Sequence, residues 1–128
     1  MVGEIVIDSS AALAFLRKEP GGDRAPPFLA VGIMSAVNHA EVAQRYWRDN
    51  IDPRPYLEEL SGIGLLVVAT EQEAAEIAGE LVRQTKPFGV SLADRICLAE
   101  AVRRKLPVLT TDRPWSRLGL SIDVKQLR

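Results

Sequence analysis

The chain is poor in the residues that make covalent or metal staples. It holds one cysteine, Cys97, and one histidine, His39. A single thiol excludes an intrachain disulfide and fits a reducing compartment. One Cys and one His do not make a zinc site. Long apolar runs are also missing, and none approaches the ~20 residues that span a bilayer. The N-terminal Met-Val-Gly-Glu-Ile lacks the basic start and apolar core of a secretion signal. The expectation is a soluble cytoplasmic protein with no membrane partner. Charge of one sign is scarce as well. The net charge is −1, so bulk charge does not announce a nucleic-acid binder. Only the segment from Arg95 to Arg128 leans basic, with eight Lys/Arg against three Asp/Glu; such an end attracts phosphate, or is simply an uneven solvated surface. Internal repeats, low-complexity tracts and linkers are absent. What is present is 128 residues, 47% hydrophobic and 26% charged, the size and balance of one domain over residues 1–128 with a single sizeable core.

Short β-branched runs alternate with helical patterns. Strands are expected at Glu4–Ile7, Val31–Ser35, Leu65–Ala69 and Pro107–Thr110, with a possible edge strand at Leu120–Val124. The first is apolar without alternation, as suits a strand buried on both faces. Helices are expected over Ala11–Lys18, Ala36–Asn50, Asp52 to about Ser61, Thr70 to about Gln84 and Ser91 to about Lys105. Pro20-Gly21-Gly22 stops the first helix, Pro26-Pro27 leaves at most a short one, and Thr70-Glu-Gln-Glu73 has the form of a capping box. Ala36, Ala40, Ala43 and Trp47 form one side of the second long helix. The pattern predicts an α/β fold: one domain with a central, mostly parallel sheet of four to five strands flanked by helices.

Several of the most apolar segments carry an acid at one end. Ile5-Val-Ile-Asp8 and Val108-Leu-Thr-Thr-Asp112 place carboxylates at the carboxyl ends of strands, where open α/β sheets bind ligands. Either Asp suits N-capping equally well. Ser91-Leu-Ala-Asp94 loosely matches the capping-box pattern, and an acid in a first helical turn is favoured by the helix dipole. Glu41 is spaced i,i+4 from Arg45 and by periodicity is exposed. Taken together, however, the acids can converge on one edge of the sheet. Carboxylates so close repel one another, and a divalent cation such as Mg²⁺, which takes oxygen ligands and keeps several waters, removes the repulsion. Cys97, one turn after Asp94, reads as core, and His39 as a surface residue or a support to the site.

The set Val6-Ile-Asp8-Ser-Ser, Ser35-Ala-Val-Asn-His-Ala-Glu41-Val, Ser91-Leu-Ala-Asp94-Arg-Ile-Cys-Leu-Ala and Leu109-Thr-Thr-Asp112-Arg-Pro-Trp resembles the PIN-domain family, and within it the VapC-type toxins of toxin–antitoxin pairs. Order, spacing and length agree over nearly the whole chain. The resemblance implies a Mg²⁺- or Mn²⁺-dependent endoribonuclease, a homodimer and a small antitoxin partner. Carried over by position, it makes Asp8, Glu41, Asp94 and Asp112 the catalytic, metal-binding quartet. Ser9 and Thr110 become hydroxyls that orient carboxylates or water, with local capping as the alternative. Arg95 and Arg113, each beside a site acid, either contact RNA phosphates or are surface charge, and Trp47 and Trp115 either stack on bases or belong to core and interface. Pro26-Pro27 departs from the helix usual in that region.

Three other readings stand beside it. A phosphatase of the haloacid dehalogenase type uses an aspartate nucleophile, here Asp8, but wants a second Asp two residues on, where this chain has Ser10. A PIN-like binding module that lost activity finds no support in a sequence that keeps all four acids. A receiver domain wants paired acids after the first strand and a lysine after the last, and neither is clear here.

Overall fold

The computed structural model describes residues 3–128; Met1 and Val2, at the start of the N-terminal segment discussed above, lie outside the described residues. Five strands form one sheet: β1 (Ile5–Ile7), β2 (Gly32–Ser35), β3 (Leu66–Val68), β4 (Val108–Thr110) and β5 (Val124–Gln126). Their order is β3-β2-β1-β4-β5, and every pairing is parallel. The helices are α1 (Ser9–Leu16), α2 (Pro26–Leu29), α3 (Ala36–Arg48), α4 (Arg54–Ile63), α5 (Gln72–Glu80), α6 (Val82–Thr85) and α7 (Leu92–Arg104), with short 3₁₀ turns at Gly22–Arg24, Lys86–Phe88 and Arg113–Arg117.

The sheet separates two apolar layers. Ile5, Ile7, Met34 and Leu109 face one way and pack with Ala11, Ala14, Leu29 and Leu60 from α1, α2 and α4. Val6, Ile33 and Val108 face the other way, against Cys97, Leu98 and Ala101 of α7 and Ala78 of α5. The period-2 alternation of a strand is therefore apolar on both sides, which explains the unbroken run Ile-Val-Ile. The backbones come close where α1 turns back: a Cβ on Gly22 would collide with the Ala14 carbonyl, so glycine is required there.

The strand order places β1 beside both β2 and β4. From β1 the chain winds outward through β2 to β3, then crosses back to put β4 on the other side of β1. That reversal makes the carboxyl ends of β1 and β4 the two lips of a switch point, the usual ligand position in open parallel sheets. Asp8 follows β1 directly, and Asp112 stands two residues beyond β4.

Four local expectations are corrected. The last strand is Val124–Gln126 rather than Leu120–Val124: Leu120 and Ile122 pack as a loop against the second apolar layer, and pairing begins only where Val124 meets Val108. Thr70 does not open a capping box, because α5 starts at Gln72 behind Glu71 with no side-chain cap bond. The helix expected to run to Gln84 breaks at Leu81 into α5 and α6. The buried stripe of α3 is Asn38, Val42 and Tyr46, whereas Ala36, Ala40 and Trp47 are exposed. A fully buried asparagine turns that helix away from the face that its alanines suggest. Among the described residues no helix is long and apolar enough to cross a membrane.

Candidate active site

Asp8 occupies the N-cap position of α1 but makes no side-chain cap bond. Its carboxyl turns inward, at 3% exposure. Oδ2 accepts from Ser10 Oγ at 2.6 Å and from Thr110 Oγ1 at 2.8 Å, while Oδ1 is buried without a partner. Burial raises its pKa to about 7; the Ser10 and Thr110 hydrogen bonds oppose the rise, and the negative charges of Asp94 and Glu41 add to it. Capping therefore does not explain Asp8.

Glu41 is half-buried rather than exposed. Its Oε1 accepts from Ser9 Oγ at 3.0 Å and from Asn38 Nδ2 at 2.9 Å, in place of the surface pair with Arg45 that the spacing suggests. Asp94 does build the capping box of α7: its backbone N–H donates to Ser91 Oγ at 3.1 Å and its Oδ2 accepts from the Ser91 N–H at 3.0 Å. The same carboxylate raises Asp8 and, after burial, contributes to the raised pKa of Asp112. Asp112 makes no cap bond either. Its backbone N–H donates to Thr110 Oγ1 at 3.0 Å, so one hydroxyl joins the segments that carry Asp8 and Asp112.

The fold thus gathers the four acids within electrostatic reach at one edge of the sheet. Among the described residues no group of three or more His, Cys, Asp or Glu is gathered tightly enough to grip an ion directly. The donor set nevertheless fits a hard divalent cation: every donor is an oxygen, and Asp8 keeps a buried oxygen with no hydrogen bond in a carboxyl whose ionisation is disfavoured by burial first and by its neighbours' charge in addition.

Two residues of the network escape sequence reasoning. Ser10 donates to Asp8 and accepts from the Thr111 N–H at 3.0 Å, with Thr110 Oγ1 at 3.3 Å. Asn38, at 0% exposure, accepts from Ser35 Oγ and donates to Glu41 and to the Ala93 carbonyl at 3.1 Å. The signal for Ser10 is its place two residues after a strand-end acid; for Asn38 it is the i,i+3 spacing to Glu41.

The PIN domain matches over residues 5–120, a span that contains all four acids. The chain belongs to the PIN-domain family. No curated protein is similar enough to count as a match. Among solved structures, the fold is similar to the DNA-bound VapBC complex of Salmonella typhimurium at TM-score 0.76 and 18% identity, covering 100% of both chains. It is similar to FitAcB of Neisseria gonorrhoeae at TM-score 0.71 and 19% identity, over 96% of this chain and 97% of that one. It is also similar to the sarcin–ricin-loop-cleaving VapC toxin of Mycobacterium tuberculosis at TM-score 0.72 and 15% identity, over 91% and 95%.

Around the acids of this PIN domain, Arg95 donates to the Val90 carbonyl at 2.8 Å, and Arg113 is exposed beside Asp112. Trp115 is core at 1% exposure, whereas Trp47 is 55% exposed. Cys97 is buried as expected, and burial, with the nearby acids adding, raises its thiol well above the usual range. His39 is half-buried and lines a cleft of about 380 Å³ with Leu57, Leu66 and Val67.

Proposed function

We propose that the chain is a Mg²⁺- or Mn²⁺-dependent endoribonuclease and the toxin of a toxin–antitoxin pair. The observation that carries this reading is the electrostatic convergence of Asp8, Glu41 and Asp94, with Asp112 joined through Asp94, at the switch point of the PIN sheet. Asp8 and Asp94 are the direct ligands, and Glu41 and Asp112 bind the ion or hold its waters. A bound divalent ion supplies an activated water and offsets charge on the phosphoryl oxygens.

The protein's own groups do the rest. Ser10 and Thr110 hold Asp8 by Oδ2, which leaves Oδ1 without a hydrogen bond and would let it bind the ion. Ser9 steadies Glu41, and the cap of α7 keeps Asp94 fixed at the positive end of a helix. Arg113 and Arg95 meet the phosphates of the RNA. The likeness to toxin–antitoxin complexes supports a cognate antitoxin and a cytoplasmic setting. The exposed Trp47, Leu66 and Leu92 offer apolar surface to that partner and to a second copy in a homodimer.

Purified protein is expected to cleave RNA with Mg²⁺ or Mn²⁺, and to stop with EDTA or the Asp94→Asn substitution. Cleavage that survives both would overturn the metal–carboxylate mechanism. Phosphate-ester hydrolysis dependent on Asp8 without RNA cleavage would favour the phosphatase, and tight RNA binding without turnover the inactive module. Toxicity on expression, relieved by a co-expressed small neighbouring protein, tests the antitoxin.

A further inference from the structure

We infer that Asn38 is a positioning residue that ties Glu41 to the first turn of α7, and so sets the separation between the acid carried by α3 and Asp94. The inference rests on the metal-dependent reading above and names a residue that acts through Glu41 within it.

Asn38 sits on the buried stripe of α3 with Val42 and Tyr46, where an apolar side chain would serve packing. A buried amide is costly unless its donors and acceptor are used. Here they are used in one pattern. The amide oxygen accepts from Ser35 Oγ, the group that also caps α3 by accepting from the Asn38 backbone N–H at 3.1 Å. The amide nitrogen donates at 2.9 Å to Glu41 Oε1 and at 3.1 Å to the carbonyl of Ala93, the residue before Asp94. One NH₂ group therefore spans two helices and touches the immediate support of two acids. Because the Ser35 cap fixes the amide oxygen, the amide cannot rotate away from that bridge without losing three hydrogen bonds. Ser9 holds the same oxygen of Glu41 from α1, so Oε1 is occupied twice.

The test uses the full chain and Mn²⁺ binding by calorimetry in the absence of RNA, with circular dichroism as the check of folding. Asn38→Ala is expected to weaken Mn²⁺ binding by about 10- to 100-fold, the range typical of residues that orient a ligand. Asn38→Ser, whose shorter hydroxyl does not reach both partners, is expected to do the same with less disturbance of packing. Glu41→Gln should also weaken binding, and adding Asn38→Ala to it should cost less than the product of the two losses, since Asn38 acts in part through Glu41. RNA cleavage should fall in parallel and recover in part at high Mn²⁺. Wild-type affinity in both Asn38 variants would overturn the inference, as would losses that multiply in the double variant, or failure of both variants to fold, which would make Asn38 structural only. In each of these cases wild-type cleavage stays intact. A wild-type chain that neither binds Mn²⁺ nor cleaves RNA overturns the proposed function, and this inference with it.

Discussion

Thr110 donates to Asp8 across 2.8 Å from the end of the neighbouring parallel strand. The bond favours the ionised carboxylate, against burial and two nearby acids. Thr110→Val removes that support, and with it the acceptor of the Asp112 N–H. The expected result is an acidic limb of the pH–cleavage profile displaced to higher pH, and about 10-fold less cleavage at neutral pH. An unmoved limb in a folded variant would show that Thr110 does not act on Asp8.

The raised pKa of Asp8 also governs stability. In the unfolded chain the group titrates near 3.8, and in the fold at about 7. Between those values the folded state binds the proton and the unfolded state does not, so unfolding free energy falls as pH rises. The contribution is fully present below about 4 and gone above about 7. Urea unfolding of metal-free protein should therefore show stability declining across this window, and Asp8→Asn should flatten the decline. Mn²⁺ should restore stability most at the alkaline end, where binding displaces no proton.

Asp94 serves a cap and a charge, and the two separate by substitution. Asparagine keeps an oxygen for the Ser91 N–H and its own N–H for Ser91 Oγ, the two bonds of the box. Asp94→Asn should thus unfold within about 1 kcal/mol of wild type, while on the proposed reading, in which Asp94 would be a direct ligand, cleavage falls by on the order of 100-fold or more. Asp94→Ala should lose the charge and the side-chain bond of the box, keeping only the backbone N–H to Ser91 Oγ. Equal stability losses in the two variants would mean that the bond from the Ser91 N–H to the residue 94 side chain contributes nothing.

These separations show what the sequence carries. The β1 and β4 acids were legible because a strand buried on both faces is a continuous apolar run, and an Asp at its end stands out. The α7 acid was legible from Ser91-x-x-Asp94. Glu41 was visible by family resemblance but not by pattern, since its half-burial depends on Asn38 facing inward, and a polar residue on the buried stripe defeats periodicity. Ser10 was hidden because its partners, Asp8 and the Thr111 N–H, meet only when β1 and β4 pair. The start of β5 was hidden because Leu120 and Ile122 are as apolar as a strand and differ from one only in lacking pairing partners.

Glu100 is a charge in a helix, yet it lies at 0% exposure. Oε2 accepts from Arg104 Nε at 2.8 Å and from Arg103 at 3.2 Å, Oε1 has no partner, and Arg103 reaches on to Glu71 at the start of α5 at 3.6 Å. The two arginines keep 18% and 33% of their side chains exposed, so the partners are unequal in their need for one another. Deleting the carboxylate frees cations that water can solvate. Deleting the cations strands a carboxylate that water cannot reach. Glu100→Met should therefore cost little, under about 1 kcal/mol, while the double change Arg103→Ala with Arg104→Ala should cost about 3–5 kcal/mol, the range for breaking a buried pair from one side. Metal-dependent cleavage per folded molecule should be unchanged in Glu100→Met, because α7 keeps its cap and Asp94. Urea unfolding of the two proteins measures the asymmetry; equal losses, or the larger loss in Glu100→Met, would show that the pair stabilises the α5–α7 contact by attraction rather than by relieving a buried charge.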